Sequence, residues 1–465
     1  MSLVSSKQAR RTRRWFGALL FAAILGHGGG AAANGRFPVA QFLTVGPGDR
    51  SSTFALATTF GIVSSSDGGK TWQFTCEEGV GYDPRTSWDN ALAITSTNAL
   101  VVGLPTGLTI APQRSCTFVP PPNLPFVSAL DLAIEPGSGR LVAAVTTPVR
   151  ATGVAISDDN GATWRMGWTL ADFFIMNVDI APGHPERVYV SGTLNTDGQN
   201  RLPTLFRSDD GGDTFVEMNG DFQDSGYVYL TAVDPTDPNV IYLRGDLPTN
   251  GTRLLRSDDA GKTFRSLIET ANPMTGFAMA PDGRQLWVGS PEAGSQNGIF
   301  RSTDGGQNWT QVASGYTTFC LRYQAGILYM CAAGIADGFA VGASADGGKS
   351  FTPLLVWSDM IGPQGCPGTS PGRTQCEAGW PDLQSTLIPD AGCQFDGATC
   401  PTMKPPATDA TPAQPDAGAA PALDASGGTC SCRLGAPGRR NSGSSLVAGL
   451  LIIGAGLARH RRPKS

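Results

Sequence analysis

A short motif recurs along this chain and constrains its fold more than any other feature. It has the form Ser-x-Asp-x-Gly-x-Thr-Trp, and some copies replace Thr by Asn or Ser and Trp by Phe. We call each copy a box. The boxes begin at Ser65, Ser157, Ser208, Ser257, Ser302 and Ser344. The aspartate and the closing aromatic residue of the boxes are Asp67 and Trp72, Asp159 and Trp164, Asp210 and Phe215, Asp259 and Phe264, Asp304 and Trp309, and Asp346 and Phe351. Repeats spaced by about 45 residues are typical of solenoids, propellers and arrays.

The spacing of the boxes indicates one further, degenerate copy. The first two boxes lie about twice as far apart as the others, so a copy is expected near position 111. Residues 111–118 stand there, and only Thr117-Phe118 match the end of a box. The expected number of repeats is therefore seven.

Between the boxes, short apolar runs alternate with turns. Leu230–Val233 and Val240–Leu243, for example, flank the turn Asp234–Asn239. Short runs separated by turn residues predict paired strands. Four strands in a unit of about 45 residues form one blade of a β-propeller. The sequence therefore predicts an all-β, seven-bladed propeller over residues 37–356.

The box resembles the Asp-box, or BNR repeat, of sialidases, sortilin-type receptors and photosystem-assembly propellers, and the resemblance covers roughly residues 40–356. In that family the box is the turn between the third and fourth strands of a blade. The resemblance therefore implies a structural role for its aspartate, glycine and aromatic residue. A turn present in every blade cannot define a single active site.

Both ends of the chain predict export. Residues 1–33 combine a basic start, the apolar run Trp15–Leu25 and small residues before a cleavage site, as in a signal peptide. Residues 357–400 form a Cys-rich extension, and the Pro/Ala-rich residues 401–429 predict a disordered stalk. Residues 430–465 predict a short transmembrane helix whose basic end is cytoplasmic.

The last segment resembles the MYXO-CTERM sorting signal of myxobacterial surface proteins. Cys430 and Cys432 precede the apolar run Leu446–Ala458, and a basic cluster follows it. The resemblance implies processing near the two cysteines and delivery to the cell surface. A plain C-terminal membrane anchor is the alternative.

Export makes disulfides plausible for the remaining cysteines. Cys320 and Cys331 flank a predicted hairpin turn and are expected to bridge it, and Cys76 and Cys116 are expected to pair between the first two blades. The cysteines of the extension are expected to form two local bridges in one of three connectivities, with a zinc site as the less favoured alternative. They are Cys366, Cys376, Cys393 and Cys400.

Composition argues against several functions. The two ends hold twelve of the 34 basic residues and no acid, so the rest of the chain is strongly acidic, which disfavours nucleic acid as a partner. His184 is the one histidine outside the two ends, so a catalytic triad or a His-rich metal site lacks its residues. No cofactor is expected.

The leading prediction is a non-catalytic binding or scaffolding module at the cell surface. Its ligand would be a glycan or a protein, and its other partners would be the export and sorting machinery and the membrane. A glycoside hydrolase, sialidase-like or with another carboxylate pair, is the alternative class. Only Arg36-Phe37-Pro38 approaches the Arg-Ile-Pro element of sialidases. An envelope assembly factor is the third hypothesis.

Overall fold

The described residues form seven sheets of consecutive antiparallel strands, and one further strand near the end joins the first sheet. We number them blades 1 to 7 in chain order. The predicted all-β, seven-bladed propeller is confirmed. The computed structural model describes residues 38–387 apart from 49–50, 87, 113–114, 136, 196–200, 249–250 and 291–297.

The strands follow the turns expected from the sequence. Blade 1 contains β1 (Ala40–Val45), β2 (Phe54–Thr58), β3 (Gly61–Ser65) and β4 (Trp72–Thr75), and blade 2 contains β5 (Leu92–Ile94), β6 (Leu100–Leu104) and β7 (Gly107–Ala111). Blade 3 contains β8 (Ser128–Glu135), β9 (Arg140–Thr146), β10 (Thr152–Ser157) and β11 (Arg165–Leu170), and blade 4 contains β12 (Phe173–Ala181), β13 (His184–Asn195), β14 (Arg201–Ser208) and β15 (Val216–Met218). Blade 5 contains β16 (Val228–Val233), β17 (Ile241–Asp246), β18 (Thr252–Ser257) and β19 (Arg265–Thr270). Blade 6 contains β20 (Gly276–Met279), β21 (Leu286–Gly289), β22 (Gly298–Ser302) and β23 (Thr310–Ser314), and blade 7 contains β24 (Cys320–Gln324), β25 (Ile327–Cys331), β26 (Val341–Ser344) and β27 (Thr352–Leu355).

The blades close into a ring. The first strands of neighbouring blades lie against one another, and β24 of blade 7 contacts β1 of blade 1. The hydrophobic core is divided into clusters that each join two adjacent blades, because every blade buries both faces of its sheet against its neighbours. The first strands therefore surround a central channel.

The strand order gives the ring two distinct faces. The first strand of each blade begins at one face, which we call the mouth face. The turns after the first and third strands, and therefore all the boxes, lie at the opposite face, which we call the box face. Residues at the starts of the first strands come from all seven blades and are gathered around the channel at the mouth face.

Blade 2 contains the degenerate repeat. Its third strand, β7, ends at Ala111. Among the described residues, a single bridge between Ile110 and Val119 stands where other blades have a fourth strand. The expected seventh blade is present, and it lacks the box that forms the turn between the third and fourth strands in the other blades.

Residues after blade 7 return to the ring. A short 3-10 helix, Trp357–Asp359, leads to β28 (Met360–Pro363), which pairs in parallel with the outer strand β4 of blade 1. The helices are α1 (Glu77–Val80), α2 (Gly334–Asp337) and α3 (Pro371–Leu387), and α3 packs against α1. The extension therefore reinforces the junction of the first and last blades.

Two disulfides fasten this extension, and they correct the sequence-based pairing. Cys76 bonds to Cys376, and Cys116 bonds to Cys366. The expected Cys76–Cys116 pair and the expected local pairing of Cys366 and Cys376 are wrong. Folding brings this part of the extension beside blades 1 and 2, so Cys366 and Cys376 each meet a distant partner.

The third disulfide, Cys320–Cys331, is present as expected from the sequence. The two residues are directly opposite each other in the β24–β25 pair. This bridge is therefore local to blade 7.

Several predicted features lie outside the described residues. They are the signal peptide, the stalk, Cys393, Cys400, the motif with Cys430 and Cys432, and the C-terminal helix. Within the part of the chain that the structure describes, no helix is long and apolar enough to cross a membrane.

Candidate ligand-binding site

The box residues form a hydrogen-bonded turn. In all six boxes the serine hydroxyl donates to the aspartate Oδ1 at 2.7–2.9 Å. It also accepts the glycine N–H at 2.8–2.9 Å. The aspartate Oδ2 accepts the side chain at the Thr position at 2.6–2.7 Å. Every fixed polar group is thereby satisfied within the turn.

These bonds stabilise the ionised carboxylate. The backbone and side-chain donors of Asn308 lower the pKa of Asp304 to about 2. Donors from Thr71 likewise hold the pKa of Asp67 below its usual range. A carboxylate that accepts several hydrogen bonds is a poor proton donor or acceptor near neutral pH, so these aspartates serve the turn.

The box also joins adjacent blades. Gly69 has φ +84°, and an added Cβ would lie 2.6 Å from Leu354 of blade 7. Gly261 has φ +91°, and its Cβ would lie 2.5 Å from Leu205 of blade 4. Glycine is therefore required both for the left-handed backbone and for the close approach of the preceding blade.

Arginines that precede the boxes bind other parts of the box face. Arg256 donates from Nη1 to the Tyr242 hydroxyl at 2.7 Å and to the Gly305 carbonyl of the next box at 3.2 Å. Arg207 pairs with Asp209 at 2.8 Å, and Arg301 donates to Gln285. These contacts hold each arginine against neighbouring side chains and turns of the box face.

A depression of about 230 Å³ on the box face lies between blades 5 and 6. Its charged walls include Asp234, Asp282 and Asp304. Each of these carboxylates already accepts hydrogen bonds within its own turn. The depression is therefore a gap between neighbouring turns, and its carboxylates serve those turns.

The mouth face carries a different cavity, which we call the mouth pocket. It has a volume of about 310 Å³ and is lined by the first strands of blades 1, 4, 5, 6 and 7. Its aromatic walls are Phe42, Tyr229, Phe277 and Phe319, and its polar walls include Gln41, Asn177 and Arg244. Aromatic walls with a few placed polar groups are typical of ligand pockets.

Three polar atoms of this pocket are buried without a hydrogen-bond partner in the structure. They are Gln41 Oε1, Asn177 Oδ1 and Arg244 Nε. Native proteins satisfy most of their buried polar atoms. Two amides and one guanidinium in the wall of one aromatic pocket fit a ligand that carries both donors and acceptors.

Other contacts hold these side chains in place. Arg244 lies over the Tyr229 ring at 4.0 Å from its centroid and donates from Nη1 to the Met274 carbonyl at 2.9 Å. Its Nε is 3.9 Å from Asp246, beyond hydrogen-bond reach. Asn177 donates to Asp131 Oδ2 at 3.2 Å. The unpaired atoms are therefore oriented before a ligand arrives.

Below the pocket, two carboxylates connect neighbouring first strands around the channel. Asp131 of blade 3 accepts the Val178 N–H of blade 4 at 3.0 Å, and Asp179 of blade 4 accepts the Val233 N–H of blade 5 at 3.2 Å. The first strand of a blade has one edge without a strand partner, so these amides need other acceptors. The carboxylates act as links between blades.

Burial shifts the ionisation of this channel cluster. It raises the pKa of Asp131, and it raises the pKa of Asp179 to about 7, with the Asp131 charge adding to the effect. Arg322 of blade 7 interacts electrostatically with Asp179 and partly opposes that rise.

We predict that the substitution Asp179→Asn changes how stability depends on pH. The pKa of Asp179 is higher in the folded protein than in the unfolded chain, so its stabilising contribution is present at low pH and is lost as the pH rises from about 4 to about 7. Over that range the free energy of unfolding of the wild type should fall relative to that of the variant, by at most about 1.4 kcal/mol per pH unit. Denaturant unfolding at several pH values measures this, and parallel curves would contradict it.

The residues of the mouth pocket could not be selected from the sequence. They come from five different blades, and no repeated motif marks them. The one available signal was an aromatic or amide residue near the start of a first strand, as at Phe42 and Tyr229. His184, in contrast, is an exposed residue that contacts Glu186 and lies on the box face.

Comparisons with known proteins give a partial resemblance. No family model matches the chain. It is 32% identical over 128 residues to the xyloglucanase Xgh74A of Acetivibrio thermocellus, covering 23% of this chain and 15% of that protein. It is 27% identical over 161 residues to a xyloglucanase of Paenibacillus sp, covering 28% and 15%. The chain thus spans about 15% of the length of the curated relatives it matches.

Solved structures include other propellers with low identity. A GH74 xyloglucanase from Xanthomonas campestris is 14% identical, with a TM-score of 0.33 and coverage of 68% of this chain and 64% of that one. YCF48 from Cyanidioschyzon merolae is 14% identical, with a TM-score of 0.43 and coverage of 65% and 94%. At these identities and TM-scores, neither likeness supports an inference about this chain.

Proposed function

We propose that this protein is an exported, non-catalytic polysaccharide-binding propeller whose binding site is the mouth pocket. The observation that carries the proposal is the aromatic mouth pocket with its polar side chains Gln41, Asn177 and Arg244, each of which also holds one buried atom without a hydrogen-bond partner. Three disulfides are in keeping with an oxidising compartment. The predicted stalk and sorting tail would display the ring at the cell surface.

The ligand chemistry follows from the pocket walls. The amides of Gln41 and Asn177 carry donors and acceptors and the Arg244 guanidinium carries donors, so a ligand in the pocket needs both kinds of group. Hydroxyl groups supply both, whereas a carboxylate supplies acceptors alone. The aromatic rings offer flat apolar surfaces to the C–H faces of sugar rings. A neutral, hydroxyl-rich polysaccharide therefore fits best, and the partial likeness to xyloglucanases makes xyloglucan the first candidate to test.

We predict that Phe42→Ala weakens xyloglucan binding about tenfold or more, because it removes a ring that is 43% exposed in the pocket wall. Isothermal titration calorimetry on the full chain with its disulfides intact measures the change. The matched control is Leu202→Ala, a side chain that is 51% exposed on the same face but outside the pocket. Equal affinities for the wild type and the Phe42 variant, with thermal denaturation showing both folded, would reject the mouth pocket as the site.

Glycoside hydrolysis is the second candidate, favoured by one specific observation. Two carboxyl groups with raised pKa, Asp131 and Asp179, lie on adjacent first strands below the pocket. Both already accept backbone N–H groups of the next blade, which favours a structural role. Release of reducing sugars from xyloglucan that is abolished by Asp179→Asn or Asp131→Asn would select the hydrolase instead.

A further inference from the structure

Aromatic side chains continue around the mouth beyond the pocket. Phe174 of blade 4 lies outside the lining of the mouth pocket, and this residue is 50% exposed to solvent. It is the second residue of β12, so it lies at the mouth face. Phe42 and Phe174 are the two phenylalanines among the exposed large hydrophobic side chains of the described residues, and both lie at the mouth face.

The strand register places Phe174 in the same position as a pocket residue. In β12 a bulge falls between Ile175 and Asn177, and in β16 of the next blade a bulge falls between Leu230 and Ala232. Phe174 and Tyr229 each precede the last paired residue before that bulge. Because Tyr229 lines the pocket, its counterpart on blade 4 lies next along the same rim.

The rim therefore carries one aromatic residue on each of five consecutive blades, from blade 4 through blades 5, 6 and 7 to blade 1. We call this set the aromatic arc. Its members are Phe174, Tyr229, Phe277, Phe319 and Phe42. An arc of separate rings along one rim matches a row of sugar units better than a single terminal sugar.

We propose that Phe174 is an additional binding residue, and that the site takes an extended, neutral polysaccharide chain running along the aromatic arc. This inference rests on the proposed function and adds the length and path of the ligand. Units in the mouth pocket meet Gln41, Asn177 and Arg244, and a unit beyond the pocket meets the Phe174 ring. Affinity must then depend on chain length, and Phe174 must contribute only to longer chains.

The test compares cellobiose with cellohexaose, binding to the full chain, by calorimetry. We expect Phe174→Ala to weaken cellohexaose binding about fivefold or more and to leave cellobiose binding unchanged. Phe42→Ala should weaken both, and Phe174→Trp should restore cellohexaose binding. Leu202→Ala, which removes an equally exposed apolar side chain without a ring, should change neither.

Different failures have different meanings. A Phe174→Ala variant that binds cellohexaose as the wild type does, or that loses the same factor for both sugars, overturns the extended path and leaves the proposed function standing. A wild-type protein that binds cellobiose and cellohexaose equally also overturns it. A folded wild type that binds neither these sugars nor xyloglucan overturns the proposed function itself.

Discussion

Removing both long-range disulfides of the C-terminal extension should lower the free energy of unfolding by at least about 5 kcal/mol and the melting temperature by about 7 °C or more. The bridges join residues 300 and 250 positions apart, so they restrict the unfolded chain far more than a local bridge does. In the chain-entropy account, the loss of the Cys76–Cys376 bridge alone costs about 4 kcal/mol, because the remaining bridge shortens the effective loop to about 50 residues. The substitutions are Cys76→Ala, Cys116→Ala, Cys366→Ala and Cys376→Ala.

A second readout shows where the stability is lost. Arg373 lies in α3 with its side chain 48% exposed, and the two bridges hold this helix against the ring. Trypsin should cleave at Arg373 much faster once both bridges are gone. The matched control, Cys320→Ala with Cys331→Ala, removes a bridge that spans 11 positions and should leave Arg373 protected. Equal cleavage in the two variants would argue against the extension as the element that secures ring closure.

Trp72→Ala should destabilise the protein by about 3–5 kcal/mol. The side chain is 1% exposed and packs in the core cluster that joins blades 1 and 7. Its Nε1 donates to Gly69 within the box and to the Leu354 carbonyl of blade 7, each at 3.0 Å. The substitution therefore opens a cavity and removes a hydrogen bond at the closure of the ring. Guanidinium chloride denaturation followed by circular dichroism measures the loss.

Another box supplies the control for this prediction. Trp309 holds the equivalent place in blade 6, is only partly buried, and donates to Gly306 of its own box. Trp309→Ala should therefore cost about 1–2 kcal/mol. If Trp309→Ala lowered the free energy of unfolding as much as Trp72→Ala does, the two box tryptophans would contribute equally to stability. The position of Trp72 at the ring closure would then add nothing.

The blades could be predicted because their determinants are local. The turn at Asp234–Asn239 and the apolar runs beside it were sufficient to predict the hairpin of β16 and β17. The Cys320–Cys331 bridge followed in the same way, because its two residues oppose each other across one hairpin. Strand pairing within a blade depends on residues close together in the chain.

The long-range disulfides were not predictable on these grounds. Cys76 and Cys116 are the first two cysteines of the chain, but each forms its disulfide with a cysteine of the extension. Their partners are set by where β28 pairs with β4 and where α3 comes to lie. Sequence spacing carries no information on a contact made only after the ring has closed.

The amino-acid sequence alone was sufficient to predict the repeat, the number of blades and the residues that form each box. A hydrogen-bonded turn needs particular side chains at fixed intervals, so the sequence shows it directly. Tertiary structure decided which residues share the mouth face. Phe42 and Asn177, on blades 1 and 4, line one cavity because their strands begin at the same end of a closed ring, and Phe174 falls beside them through the register of a bulge. The proposed function depends on residues that the ring brings together, and their positions follow from how seven sheets pack around one axis.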